Sequence, residues 1–484
     1  MSQRFYITTP IYYVNDQPHL GHAYSTLLAD VASRYWREKL GKDKVWFLTG
    51  TDEHGAKILQ KAQEQGVPVE QFVDTVAEQF RATWTNLHIA HDDFIRTTEP
   101  RHEEAVGKIM ARLRAAVTPQ GKDVLYTGEY EGLYCVGCEK FLTEKELVDG
   151  KCPLHPNQTP QLLKEKNWFF RLQDWLPQLT ELISNDTIKI LPETRKNEVL
   201  GLLQQELPDF SVSRQTVKWG IPVPWDPEQV IYVWIEALMN YITAIGYPQD
   251  DKLFETWWPA SAQILAPDIL KFHAIYWPAI LLALKLPLPQ ELWVHGFFTV
   301  DGQKMSKSIG NVIDPNVLVE KYGADATRYL ILSQFSFGSE SDIKVSDFDE
   351  RYNGELANGL GNFVARVTHL AEKFVAEGTM IAEYVAPQAE AIDKAMQQTQ
   401  FKEALQLIWQ IVREGDQIME QEKPWELAKT DATKAQDVLV GLLGRIKLVA
   451  RLIAPVMPQT SEVLTTIFAS PKISKPTNLF NRIS

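Results

Sequence analysis

The first hundred residues alternate between short continuous apolar runs and stretches with an apolar side chain every three or four positions. Residues 4–9 (RFYITT) predict a short buried strand, the turn-rich PIYYVNDQPHLGH follows, and an amphipathic helix is expected from about Ala23 to Leu40. A second apolar strand, Lys44 to Leu48, runs into TGTDEHG, which opens another helical segment. Strand, loop and helix in this rhythm predict a parallel α/β sheet, whose ligands bind at the carboxyl ends of the strands. From about 117 to 226 the rhythm breaks into short segments that carry Gly, Pro and all three cysteines, as an inserted module would. The α/β pattern returns with VIYVWIEALMNYI, ILKFHAIYWPAILLAL and the strand-like ELWVHGFFTV. From 353 onward helical spacing dominates: Ala404, Leu405, Ile408, Ile411 and Val412 share one face, and a last helix is expected around Val438 to Ile453. This predicts an α-helical bundle.

At 484 residues the chain is long enough for two to four domains with buried cores. The apolar run from Ala274 to Leu284 stops at Lys285, short of the roughly 18 residues that cross a bilayer, and MSQRFYITTP has no export pattern. A cytoplasmic protein with no membrane span is expected. The net charge of -13 argues against a simple basic clamp on nucleic acid. Residues 353–484, however, hold 14 Lys and Arg against 15 Asp and Glu, whereas residues 1–352 hold 35 against 47, so the helical part is nearly neutral and local patches there remain able to meet a polyanion. Three cysteines exclude a disulfide framework.

Those cysteines form a different pattern. Cys135, Cys138, Cys152 and His155 read C-x2-C-x13-C-x2-H, two ligand pairs within 21 residues. Thiolate and imidazole suit zinc, and four protein ligands would close the site to water, which makes it structural. The bland alternative is three buried thiols and an unrelated histidine.

His19 and His22 flank Leu20 and Gly21 at a helix start, where spacing puts both imidazoles on one face of the first turn and the helix end favours anions. Alone, H-x-x-H fits half a metal site or two surface side chains equally well. The second signal is Lys304 to Ser308, KMSKS, in a polar loop after the strand ending at Val300. Two lysines facing two histidines would neutralise charge that builds on a triphosphate during displacement at the α-phosphorus, without a covalent enzyme intermediate. A solvated basic loop is the bland reading.

These residues resemble the class I aminoacyl-tRNA synthetases, His19-Leu20-Gly21-His22 being similar to the HIGH motif and Lys304 to Ser308 to KMSKS. ITTPIYYVND, FLTGTDEHGAKI, YVWIEALMNYIT, DILKFHAIYWPA and HGFFTVDGQKMSKSIGNVIDP resemble the methionyl branch, over nearly the whole chain. The resemblance implies activation of methionine by ATP, accompanied by magnesium, to methionyl-adenylate, then transfer to the 3'-terminal adenosine of tRNA(Met). It implies a Rossmann-type sheet in two halves (1–116 and 227–322), a connective insertion with a zinc knuckle (117–226), a linking stem (323–352) and an α-helical anticodon-binding domain (353–484). His19, His22, Lys304 and Lys307 would stabilise the triphosphate, with Gly21, Asp268, His295 and Ser306 completing the ATP site. Asp52 would hold the α-amino group of methionine with Tyr13 beside it. Ile11, Trp234, Ala237, Leu238, Tyr241, Ile269, Phe272, His273 and Trp277 would line or back the thioether pocket, where aromatic walls suit sulfur. From periodicity alone each of these is ordinary core, although a buried His273 needs polar partners. Asn362, Arg366 and Trp425 would meet the CAU anticodon, Trp425 as a stacking platform or else as a seal on the bundle.

Two departures stand out. Gln263-Ile264-Leu265-Ala266-Pro267 occupies the place where the family usually shows a histidine, two aliphatics, Gly and Lys, and Glu236 stands where an aspartate is usual. The first removes a lysine charge and a backbone N–H beside the nucleotide. A catalytically silent tRNA-binding relative therefore stays open, as do a class I synthetase for another apolar amino acid and a small-molecule adenylyltransferase. The insertion, about 110 residues, leaves little room for a large editing domain. With the chain stopping soon after the bundle, a monomer is expected.

Overall fold

A computed structural model describes residues 4–483 except 137–139, 143–146, 154–158, 301 and 305–310; for Tyr130, Glu131, Lys140, Phe141, Phe298 and Lys304 it describes the backbone only. The chain divides into two compact units, Met1–Pro18, Leu40–Ala82 and Ala90–His295 forming the first, and His19–Lys39, Thr83–Ile89 and Gly296–Ser484 the second.

The chain opens with β1 (Phe5–Tyr13), α1 (Leu20–Leu40), β2 (Val45–Asp52), α2 (Ala56–Gln65), α3 (Val69–Asn86), β3 (Asp93–Arg96) and α4 (Pro100–Arg114). After β4 (Leu125–Cys135), β5 (Lys140–Leu142), β6 (Gln161–Phe170) and β7 (Lys189–Leu191) come α5 (Val233–Leu238), β8 (Ala262–Leu265), α6 (Trp277–Ala283) and β9 (Glu291–Val294). In the first unit the strands form a six-stranded sheet in the order β3-β2-β1-β8-β9-β7, every pair parallel. The winding reverses between β1 and β8, the switch point where such sheets hold ligands. Continuous apolar runs form the strands because both faces are covered: all but one residue of β2 is buried. Tyr6, Leu48, Ile95, Leu265 and Leu292 pack in one core with Val106, Ile109 and Met110 of α4 and with Tyr241 and Trp277. Gly50 has no alternative, since a Cβ there would sit 2.0 Å from the Ile95 carbonyl oxygen of β3.

Two strands run further than the apolar pattern suggests. β1 continues through Pro10 to Tyr13, and β2 through TGTD to Asp52. The register shifts between Thr8 and Ile11, and proline, which cannot donate to a ladder, is tolerated at such an irregularity. Within the segment expected as an insertion, β4 and β6 pair in a separate antiparallel sheet, Leu125 opposite Phe170 through Tyr134 opposite Gln161, whereas β7 of the same segment joins the parallel sheet.

ELWVHGFFTV, expected as one strand, divides at the point in the chain where the second unit resumes. Only Glu291–Val294 joins the parallel sheet, while Phe298–Val300 pairs with Gln303–Lys304 and Ser341–Ile343. Gly296 marks the break, because a Cβ there would lie 2.0 Å from the Ser339 carbonyl oxygen. The helices are α7 (Ala324–Leu332), α8 (Asn362–Phe374), α9 (Phe401–Glu422), α10 (Ala432–Ile453) and α11 (Pro458–Thr466), so one helix follows the segment expected to be last. Ala404, Leu405, Ile408, Ile411 and Val412 are all buried on α9, as their spacing predicts. The fully buried Arg328 of α7 joins distant parts of this unit: its guanidinium donates to Asp30 Oδ2 of α1 (2.6 Å) and to the carbonyls of Leu87 (3.0 Å), Pro455 (2.9 Å) and Val456 (2.6 Å). A buried charge is tolerated when it is paired and its donors are filled in this way.

Candidate active site

Tyr13 and Asp52 are register partners at the carboxyl ends of β1 and β2. The loop after Asp52 is held rigidly by the residue that follows. Glu53 accepts two bonds from Arg96 (2.8 and 2.9 Å) and one each from Thr51 and Thr98 (2.6 Å), while its backbone carbonyl accepts from the Trp219 indole (2.6 Å). A fixed loop holds the Asp52 carboxylate, 8% exposed, without a reorganisation cost when a cation arrives.

The same unit assembles the expected aromatic residues. Trp234 stacks on Phe272 with ring centroids 4.2 Å apart, and Tyr241 lies 6.1 Å from Trp277. Ala237, Leu238 and Trp277 are buried; Ile11, Tyr13, Trp234 and Ile269 are half-buried against the same core. Phe272 and His273 start a π-helical turn, Phe272–Tyr276, a backbone irregularity common at functional sites. His273 Nδ1 donates to the Ile269 carbonyl (2.9 Å), so Nε2 accepts from the Tyr241 hydroxyl (2.7 Å). Burial pushes its pKa down to about 4, leaving the imidazole neutral at physiological pH. The box is therefore polarisable, apolar and uncharged, which suits a thioether.

Asp268 is exposed in the short Pro267–Ile269 turn after β8, and His295 is buried just past β9, its N–H donating to the Leu265 carbonyl (3.0 Å). Upstream, the departure residue Gln263 is the register partner of Thr8; both are fully buried, and among the described residues neither side chain has a hydrogen-bond partner.

In the second unit the His19 and His22 rings stack with centroids 3.7 Å apart. Nδ1 of His19 accepts from the Gly21 N–H (3.1 Å) and Nδ1 of His22 from the His19 N–H (3.3 Å). That pattern places the ring proton of each on Nε2. Burial, helped by the neighbouring His19, holds the His22 pKa well below its usual value. The pair thus offers two neutral N–H groups at the start of α1. Lys304 lies 285 residues away in sequence, yet the chain just beyond it returns to the same turn: the Leu20 N–H donates to the Ile313 carbonyl (3.0 Å). Lys304 itself extends a hairpin whose turn is fixed by Asp342, which accepts from Thr299 (2.6 Å) and from the Gly302 N–H (2.7 Å). Ser306 and Lys307 lie outside the described residues.

Asn362 and Arg366 share a face at the start of α8, with Asn362 exposed. The Arg366 guanidinium lies 5.8 Å from the half-buried Trp425 ring, 2.5 Å from Glu420 and 3.7 Å from Asp416. Lys423, at φ 41°, turns the chain so that Pro424 opens the short helix bearing Trp425. Gly415 lets α9 lie close against α8, since a Cβ there would meet the Phe363 ring at 2.5 Å.

Cys135 and Cys152 are buried together with Leu142 in a small separate cluster. Cys138 and His155 lie outside the described residues, and among the described residues no group of three or more His, Cys, Asp or Glu is placed to hold a metal ion. No helix among them is long and apolar enough to cross a membrane.

A family model described as tRNA synthetases class I (M) matches residues 5–368, and one described as the anticodon binding domain of methionyl tRNA ligase matches residues 371–483. The methionine–tRNA ligase of Thermosynechococcus vestitus is 40% identical over 485 residues, covering 96% of this chain and 90% of the relative. That of Rickettsia bellii is 40% identical over 476 residues, covering 95% and 92%. The Mycobacterium tuberculosis methionyl-tRNA synthetase in complex with methionyl-adenylate matches with a TM-score of 0.88 at 32% identity, over 100% of this chain and 99% of that one.

The chain belongs to the methionyl-tRNA synthetases. It is an ATP-dependent methionine–tRNA ligase with an α/β parallel-sheet fold and a C-terminal helical region. Sequence reading passed over several residues that hold this synthetase's loops. His54 and Glu53 lie inside the TDEHG motif, yet nothing in their spacing marks one as an internal ion-pair partner and the other as an anchor for Arg96. His102 on α4 carried no signal at all, being one histidine at the start of a polar helix. A count of histidines near a buried acid would have been the only clue.

Proposed function

We propose that His19 and His22, through their Nε2–H groups, and Lys304 and Lys307, through their ammonium groups, bind the triphosphate of ATP and stabilise the charge that develops as the methionine carboxylate attacks the α-phosphorus. The bond from Leu20 to Ile313 carries this reading, because it ties the histidine turn to the chain five residues past the KMSKS segment. Gly21 allows the backbone to approach the phosphates, Ser306 adds a hydroxyl donor, and Asp268 and His295 border the adenosine. Magnesium accompanies ATP and offsets its charge. Asp52, beside Tyr13, takes the α-ammonium of methionine, and the box from Ile11 to Trp277 takes the thioether.

Asn362, Arg366 and Trp425 contact the anticodon of tRNA(Met); the cation–π geometry at Trp425 supports this, since a base stacks on the same kind of face. Cys135, Cys138, Cys152 and His155 hold one structural zinc. Two of these thiols, Cys135 and Cys152, are buried in one cluster with Leu142, which supports a shared ligand. The ranges 1–116 and 227–322 are read as the two catalytic halves, 117–226 as the connective insertion, 323–352 as the stem and 353–484 as the anticodon domain, in a monomeric, cytoplasmic enzyme.

Lys304→Ala tests the role assignment. An ammonium used mainly in the transition state should slow methionine activation by orders of magnitude with little change in methionine affinity. A large loss of methionine binding with an undiminished activation rate would contradict it.

A further inference from the structure

The TDEHG loop carries a second charged group that the reaction does not obviously need. His54, two residues after Asp52, is 3% exposed, and its Nδ1 donates to Oε1 of Glu236 (3.0 Å). The other oxygen of Glu236 accepts from Nε2 of His102 on α4 (2.9 Å), whose Nδ1 lies 2.8 Å from Thr243 Oγ1. Glu236 and His102 are fully buried. On its far side, His54 Nε2 lies 3.6 Å from the half-solvated Glu103, and its ring packs 5.4 Å from Trp219. One carboxylate therefore connects the loop of Asp52, helix α4 and helix α5, which carries Trp234 and Ala237.

We propose that Glu236 is a positioning residue for methionine recognition: it serves as the counter-ion of His54 and fixes the Asp52 loop against the helix that walls the thioether. This inference rests on the assignment of Asp52 and the thioether box above. The charges support it. Burial alone would push the His54 pKa down, but Glu236, Glu103 and Asp52 outweigh it and raise it to about 10. Burial pushes Glu236 up, and His54 and His102 outweigh it in turn, holding the carboxyl below its ordinary range. His54 is thus a cation two residues from the group that must bind another cation. Without Glu236 the acids left facing His54 are Glu103 and Asp52, so any proton the buried ring kept would compete with the substrate for Asp52. An ion pair with both carboxylate oxygens filled removes that competition and sets the spacing between the two ends of the amino acid.

The test uses the full chain and methionine-dependent exchange of pyrophosphate into ATP, with methionine and ATP varied separately. Inhibition by 4-(methylthio)butanoate, which has the thioether but no amino group, is measured alongside. Glu236→Gln should raise the methionine KM about tenfold or more while the ATP KM and the inhibition constant of the deaminated analogue stay within about threefold. Glu236→Asp, which keeps the charge, should recover most of the loss. An unchanged methionine KM in Glu236→Gln overturns the proposal, and so does equal weakening of methionine and of the analogue, because a merely structural lesion would affect both. Asp52→Asn separates the two levels. If it raises the methionine KM while Glu236→Gln does not, only the Glu236 role fails; if it leaves the KM unchanged, the Asp52 assignment fails. Should Glu236→Gln not fold, nitrogen NMR of His54 in the wild-type enzyme decides. An imidazolium at pH 8, with and without methionine, supports the ion pair, and a neutral ring refutes it.

Discussion

The uncharged state of the proposed thioether box is open to a direct thermodynamic test through His273→Gln. Glutamine keeps a donor and an acceptor of similar reach but does not titrate. In the native protein the His273 pKa is pushed down to about 4 by burial, against about 6.5 in an unfolded chain. Between those values the unfolded chain binds a proton that the native protein does not, so this residue makes stability fall as pH falls. The full span corresponds to about 3 kcal/mol, of which about 2 kcal/mol is lost between pH 7 and pH 5. His54 acts in the opposite sense: its raised pKa contributes stability that is present below about pH 6.5 and is lost as pH rises toward about 10. Comparing wild type with the variant removes His54 and every other unchanged group. Urea unfolding followed by tryptophan fluorescence reads mainly the first unit, which holds ten of the fourteen tryptophans. The variant should lose about 2 kcal/mol less than wild type on going from pH 7 to pH 5. Identical losses would mean that His273 is solvated or charged in the native state, and the description of an uncharged sulfur pocket would be wrong.

Other outcomes follow from the remaining sites. Arg366→Ala should impair aminoacylation of tRNA(Met) severely and leave pyrophosphate exchange intact, because it changes a proposed anticodon contact and no proposed ATP or methionine contact; equal damage to both rates would remove the residue from that role. Elemental analysis of unchelated protein should find one zinc per chain, lost in Cys152→Ser together with thermal stability, and a metal-free wild type of normal stability would return the cysteines to ordinary buried thiols.

Much of the α/β half was legible because buried parallel strands are continuous apolar runs, as in β2, and because helix α9 repeats its apolar residues at helical spacing. The strand ends were not. Pro10 and the polar TGTD stretch look like punctuation, yet they remain paired because Pro10 sits at a register shift and Gly50 alone fits against Ile95. ELWVHGFFTV reads as one strand since nothing local reveals that Gly296 must approach Ser339 so closely that the chain leaves the sheet. Short motifs pick out His19, Asp52 and Lys304 as the proposed site residues. The groups that hold them, such as Glu53 with Arg96 and Glu236 with His102, are paired only through distant segments, and no periodicity records such pairs. Arg328 is the same case in the second unit: one arginine on an apolar helix, whose four acceptors come from residues 30, 87, 455 and 456.

Exchange of labelled pyrophosphate into ATP, run with each of the twenty amino acids in turn, tests the central claim most directly. Stimulation by methionine alone, abolished or nearly so in Lys304→Ala, is the predicted result. No stimulation by any amino acid, or an equal response to leucine or isoleucine, would contradict it.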